Sequence, residues 1–212
     1  MIVFIPAYDS ATRINLEVAR PILPINVVPL LEQNAVRSQL WLHLSNQDNL
    51  FIMSHGNSDK IWDNDKAMAI DLADLPQFSR KNAFVYACFT ANELGKKLKT
   101  NNNIYWGYTG SISAPNDQPN IINSFSSIFD YILKQFPECN TATTIKEFIN
   151  TLKILCDEKE STMDVLYEKG IDVDMSCYTC LLHIWSRLRV YHFDEFEHFK
   201  HKDAREGDLF EL

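Results

Sequence analysis

Apolar residues along this 212-residue chain recur in two ways. Short runs bounded by turn formers, at 2–6, 50–53, 83–87 and 104–108, read as buried strands of a mostly parallel sheet, because a strand covered on both faces loses its polar alternation. The run at 25–31 contains Pro29 and follows Pro24, which predicts a short or peripheral strand. Other segments repeat at helical spacing. The mixed stretch 7–20 is predicted as a helix that Pro21 stops, and Val36, Leu40 and Leu44 share one helical face. Phe125, Ile128, Phe129, Ile132, Leu133 and Phe136 mark a helix that packs on the sheet, and Ile145, Phe148, Ile149, Leu152 and Cys156 mark the next one. Strand, helix, strand order predicts the α/β class.

Two of the apolar runs end in residues that can do chemistry. The run 50–53 delivers Ser54-His55-Gly56, and 83–87 delivers Cys88. Open α/β sheets bind ligands at the carboxyl ends of their strands. Thr90-Ala91-Asn92-Glu93 has the form of a capping box and predicts a helix with Ala91, Leu94 and Leu98 on one face. Cys88 would then precede a helix amino terminus, whose partial positive charge favours the nucleophilic thiolate. His55 is the candidate acid and base for acyl transfer, and the N–H groups of Gly56 and Cys88 are candidates to face an oxyanion.

A strand ending in His-Gly, then a strand ending in Ala-Cys and a helix, resembles the caspase-like cysteine peptidases. Those residues are FIMSHG at 51–56, DLADLP at 71–76 and AFVYACFTANELG at 83–95, and they are most similar to the bacterial CHAT domain. The strand at 103–108, the segment 110–117 and the helix FSSIFDYIL fit the same pattern, so the resemblance spans about residues 50–135. It implies a three-layer sandwich with a mostly parallel central sheet flanked by helices, as one domain with a core at about 1–136 and a helical C-terminal extension at about 140–212. It implies a Cys-His dyad of Cys88 and His55 in a cysteine endopeptidase. It also implies a protein substrate, an activating partner protein, and a regulated bacterial effector, with antiviral defence as a candidate setting. By the same analogy Trp106, Tyr108, Ser111 and Asp117 become candidate pocket residues, although a buried strand with core aromatics explains the first two equally well. The separation from His55 to Cys88 is 88 − 55 = 33 residues, against about 50 in caspases, whose Q-A-C-[RQG]-G signature is absent here. Caspase-type aspartate specificity is therefore not carried over.

Composition narrows the field further. Twenty basic against 28 acidic residues give a formal charge of −8 without a basic run, which argues against direct nucleic-acid binding. The start MIVFIPAYDS has no basic leader, no apolar stretch reaches membrane-spanning length, and five cysteines lack framework spacing. A cytoplasmic chain with reduced thiols is expected.

Asp59, Asp63 and Asp65 sit in the polar loop after His55, ahead of a predicted short helix at 67–75. They lack the glycine and terminal glutamate of a calcium loop, so neither metal nor cofactor is expected; one of them is a candidate to orient His55. Cys177 and Cys180 form a C-x-x-C, but they share an apolar face with Leu181, Ile184 and Leu188 and read as core. His43 reads as a surface residue. The terminal YHFDEFEHFKHKDAREGDLFEL, with His192, His198 and His201 off any common helix face, reads as a charged helix or tail and a candidate contact surface. An inactive caspase-like scaffold that binds a partner protein is the alternative to the enzyme. Both catalytic residue types at their expected strand ends favour the peptidase. Cys-His amidotransferases and acyl hydrolases place the cysteine before the histidine, and no G-x-S-x-G points to a serine hydrolase.

Overall fold

The strands, in chain order, are β1 (Ile2–Ile5), β2 (Val28–Leu31), β3 (Asn49–Met53), β4 (Lys60–Trp62), β5 (Met68–Asp71), β6 (Asn82–Tyr86), β7 (Ile104–Tyr108) and β8 (Leu188–His192). Six of them build one sheet in the order β2-β1-β3-β6-β7-β8, and β4 and β5 pair as a separate hairpin. The first five strands of that sheet run parallel, and β8 is antiparallel to β7. These assignments come from a computed structural model, which describes residues 1–205.

Successive residues of the central strands point into two different cores. Val3, Phe51, Met53, Phe84, Tyr86, Trp106 and Tyr108 enter the first, with residues of α1 (Ser10–Ala19), α4 (Pro119–Gln135), α5 (Ala142–Glu168) and α6 (Met175–Ser186). Ile2, Phe4, Leu50, Ile52, Ala83 and Val85 enter the second, with residues of α2 (Arg37–Leu44), the 3-10 helix Leu72–Phe78 and the turn Ala91–Gly95 that leads into α3 (Lys96–Leu98). Helices on both faces of a six-stranded, mostly parallel sheet make three layers. That double cover is why the strands read as unbroken apolar runs. The sheet edges are protected: β2 carries Pro29 at one edge, and at the other Val190 exchanges two hydrogen bonds with Phe199 of the returning chain, at 2.9 and 2.8 Å.

The structure departs from the sequence reading in three places. The helix expected at 67–75 is β5 followed by a 3-10 helix, because Ala69 and Ile70 pack against the second core while Asp71 caps the turn through the Ala73 N–H. A four-residue apolar run is too short for periodicity to separate strand from helix. The capping box at Thr90 does not form. Thr90 is fully buried with αR backbone and its hydroxyl donates to the Ala87 carbonyl at 3.1 Å, so the chain starts as a π-turn; Ala91, Leu94 and Leu98 are nevertheless buried together. Finally, the extension after 140 is not all helical. Leu188–His192 is the sixth sheet strand, and 193–205 folds back along it without helix; residues 206–212 of the expected terminal helix lie outside the described residues.

Candidate active site

The β3–β6 ladder pairs Met53 with Tyr86, an offset of 86 − 53 = 33 residues that equals the 88 − 55 = 33 between His55 and Cys88. It closes where the Ser54 N–H donates to the Tyr86 carbonyl at 3.1 Å. His55 and Cys88 each follow that last pair by two residues, at the carboxyl ends of adjacent strands. The two strand ends stay together beyond the ladder: a Cβ on Gly56 would lie 3.0 Å from the Ala87 Cβ, 2.8 Å from the Thr90 Cγ2 and 3.1 Å from the Lys60 carbonyl oxygen. Glycine is required there by close approach. Among the described residues, neither the Gly56 nor the Cys88 N–H donates to a backbone carbonyl.

His55 is held from the N-cap of α1, just after the first strand. Its Nε2 lies 2.8 Å from Asp9 Oδ2, and both side chains are about two-fifths exposed, at 41% and 39%. Asp9 has a second task as the N-cap of α1, where its carboxylate accepts from the Thr12 N–H at 2.9 Å and the Thr12 hydroxyl at 2.8 Å. Partial burial works to raise the Asp9 carboxyl, but the Thr12 and His55 hydrogen bonds outweigh it and hold the group below its ordinary value. With Nε2 committed to Asp9, Nδ1 is the ring nitrogen left for proton exchange. The Tyr8 ring packs on the His55 ring, centroids 5.7 Å apart. Burial and then the Asp9 carboxylate push the Tyr8 hydroxyl up to about 12, so it stays protonated near neutrality.

Cys88 is half-buried, the other four cysteines are buried, and all five are free thiols. Its sulfur accepts from the Ile112 N–H at 3.3 Å and its thiol donates to the Ile112 carbonyl at 3.4 Å. Phe89, directly after it, has a left-handed backbone, φ 61°, that non-glycine residues seldom adopt. Its N–H donates to the Gly110 carbonyl at 3.1 Å. The segment 109–118 thus borders the thiol. Burial raises the other thiols, Cys180 to about 12, Cys139 to about 11, and Cys156 and Cys177 upward as well, so they remain protonated.

The remaining candidates divide. Trp106 and Tyr108 are fully buried in the first core, where Trp106 Nε1 donates to Asn82 Oδ1 at 2.8 Å and Tyr108 packs edge-on against Tyr86, so neither offers surface to a substrate. Ser111 and Asp117 are exposed on the segment 109–118. None of the three loop aspartates partners His55. Asp63 is buried and fastens its own loop, accepting from the Asp65, Ala67 and Arg37 N–H groups at 3.0 Å each. Asp9 was missed because its meeting with His55 depends on β1 lying next to β3, an adjacency no local pattern encodes.

Cys177 and Cys180 are fully buried, and among the described residues no group of three or more His, Cys, Asp or Glu side chains could hold a metal. Among the described residues no helix is long and apolar enough to cross a membrane. A cleft lined by Asn49, Arg80, Lys81, Asn82, Ile104 and Phe193 lies at the amino ends of β3, β6 and β7, the opposite end of the sheet from Cys88, and its Lys81 ammonium donates to the Gln47 carbonyl at 2.7 Å. Set against protein-family models, characterised proteins and solved structures, the chain matches none.

Proposed function

We propose that this chain is a cysteine endopeptidase acting on a protein substrate, with Cys88 as nucleophile, His55 as acid and base, and Asp9 as the group that orients His55. The reading is supported by the ladder register, whose last pair Met53–Tyr86 lies two residues before both His55 and Cys88, and by the Asp9 carboxylate on the imidazole Nε2. In the first half-reaction the Cys88 proton passes to His55, sulfur bonds to the peptide carbonyl carbon, and the carbonyl electron pair moves onto oxygen opposite the Gly56 and Cys88 N–H groups. Collapse breaks the C–N bond, and His55 returns the proton to the leaving amine. Water, deprotonated by His55, then attacks the thioester and releases acid and free thiol.

The test is turnover of a mixed peptide library, followed by mass spectrometry. Cys88→Ala removes the nucleophile and little volume, so it should abolish cleavage with unfolding unchanged, whereas Cys177→Ala, at a thiol packed in the core, should keep wild-type turnover. Cleavage by Cys88→Ala at the wild-type rate refutes the assignment and returns the chain to the scaffold alternative.

A further inference from the structure

Building on the peptidase reading, we propose that the segment 109–118, which joins β7 to α4, is a strap that engages the Cys88 thiol in the resting chain and is latched by Arg187. The thiol proton that His55 must take is directed instead at the Ile112 carbonyl, at 3.4 Å, while the Ile112 N–H occupies the sulfur lone pair at 3.3 Å. A substrate carbonyl needs that same face of the sulfur, so Ile112 has to withdraw before attack.

The strap is fastened on both sides of Ile112, besides the bonds that the Phe89 N–H makes to the Gly110 carbonyl at 3.1 Å and Asn92 Nδ2 to the Thr109 carbonyl at 3.2 Å. Beyond Ile112, the Ser113 carbonyl accepts from the Tyr86 hydroxyl at 2.8 Å and from the Cys180 thiol at 2.7 Å, and both donors belong to buried residues of the core. That fastening is fixed. Before Ile112 the fastening faces solvent. Arg187, where α6 meets β8, bonds through its guanidinium to the carbonyl of exposed Ser111 and to its hydroxyl, the latter at 3.2 Å, while its own carbonyl accepts from the Thr109 N–H at 3.0 Å. The guanidinium crosses Gly110 so closely that a Cβ there would meet Cδ and Nε at 2.9 Å. Ile112 therefore sits between an anchor in the core and a side-chain latch that water, a salt or a binding partner can compete for. Release of the Arg187 guanidinium loosens Ser111 and lets Ile112 withdraw from the thiol, while Thr109 and Gly110 on one side and Ser113 on the other stay held.

Two variants probe the latch. Arg187→Ala removes the guanidinium. Gly110→Ala keeps it but pushes the side chain aside, since the clash is with a flexible side chain and the Gly110 backbone is not left-handed. Iodoacetamide labelling, located by peptide mass spectrometry, should proceed about tenfold faster at Cys88 in either variant, the change expected for losing one charge-assisted hydrogen bond. Cys156, Cys177 and Cys180 should stay unlabelled, and exchange of the Ile112 amide should accelerate. Labelling of Cys88 at the wild-type rate in the folded variants overturns the proposal; if Arg187→Ala does not fold, Gly110→Ala decides alone. The readout does not depend on peptidase activity: faster labelling without peptide cleavage keeps the strap and removes the peptidase, and cleavage without a labelling change does the reverse.

Discussion

Asp9 performs two tasks that substitution can separate. Asp9→Ala removes both the cap of α1 and the partner of His55. Loss of an N-cap costs about 1 kcal/mol, and the Asp9–His55 pair, with both side chains about two-fifths exposed, adds no more than a few tenths after solvent screening. For a chain of this length the sum lowers the melting temperature by about 2–5 °C. Asp9→Asn keeps an oxygen that can accept from the Thr12 N–H, so its melting temperature should stay near wild type, but it cannot offset a charge on the imidazolium. Turnover should then fall about a hundredfold in both variants, the low end of what general acid–base catalysis contributes. The pH dependence follows the same logic. Because the folded Asp9 carboxyl lies below its ordinary value of 3.8, its contribution to stability is present above that value and is lost as the pH falls through the lower folded value. Asp9→Asn should lack this acid-limb component. Calorimetric scans and kcat/KM from pH 3 to 9 read both effects; an Asp9→Asn protein with wild-type turnover and pH profile refutes the orienting role, while Asp9→Ala as stable as wild type refutes the cap.

Gly56→Ala should destabilise the chain by about 1–3 kcal/mol, since the new methyl meets the Thr90 Cγ2 and the Lys60 carbonyl at van der Waals overlap, and should lower turnover more than the stability loss explains; denaturant unfolding beside kinetics at low temperature checks this. Arg37→Ala should cost about 2 kcal/mol, because Arg37, its side chain 39% exposed, grips the buried Asp74 carboxylate with two hydrogen bonds of 2.7 and 2.6 Å, yet leave Cys88 labelling unchanged, as it braces the hairpin face and not the site.

What local pattern could reach, it reached. Apolar runs named β1, β3, β6 and β7, Pro29 placed β2 at an edge, and helical spacing found α2, α4 and α5, because burial on one face or two writes itself into periodicity. Patterns of four residues failed: β4 and β5 were hidden in a polar loop, and Thr90 looked like a cap until burial turned its hydroxyl back on Ala87. β8 was obscured because Arg189 and Tyr191, polar in composition, are buried, with Arg189 donating to the Ser186 and Leu188 carbonyls at 2.8 and 2.9 Å.

The same division runs through the candidate site. His55 and Cys88 were legible because each closes an apolar run, and their separation of 33 already equals the register of the two strands. Asp9, Ile112 and Arg187 were not, because they reach the site across 46, 24 and 76 residues of intervening chain, counting His55 to Asp9, Cys88 to Ile112, and Ser111 to Arg187. The sequence by itself determined the strands β1, β3, β6 and β7, the apolar faces of α2, α4 and α5, and the closing of two apolar runs by His55 and Cys88. Only the tertiary structure decided strand order, and with it which carboxylate meets the histidine and which loop covers the thiol, since strand adjacency is fixed by the packing of whole layers and leaves no trace in any local stretch of chain.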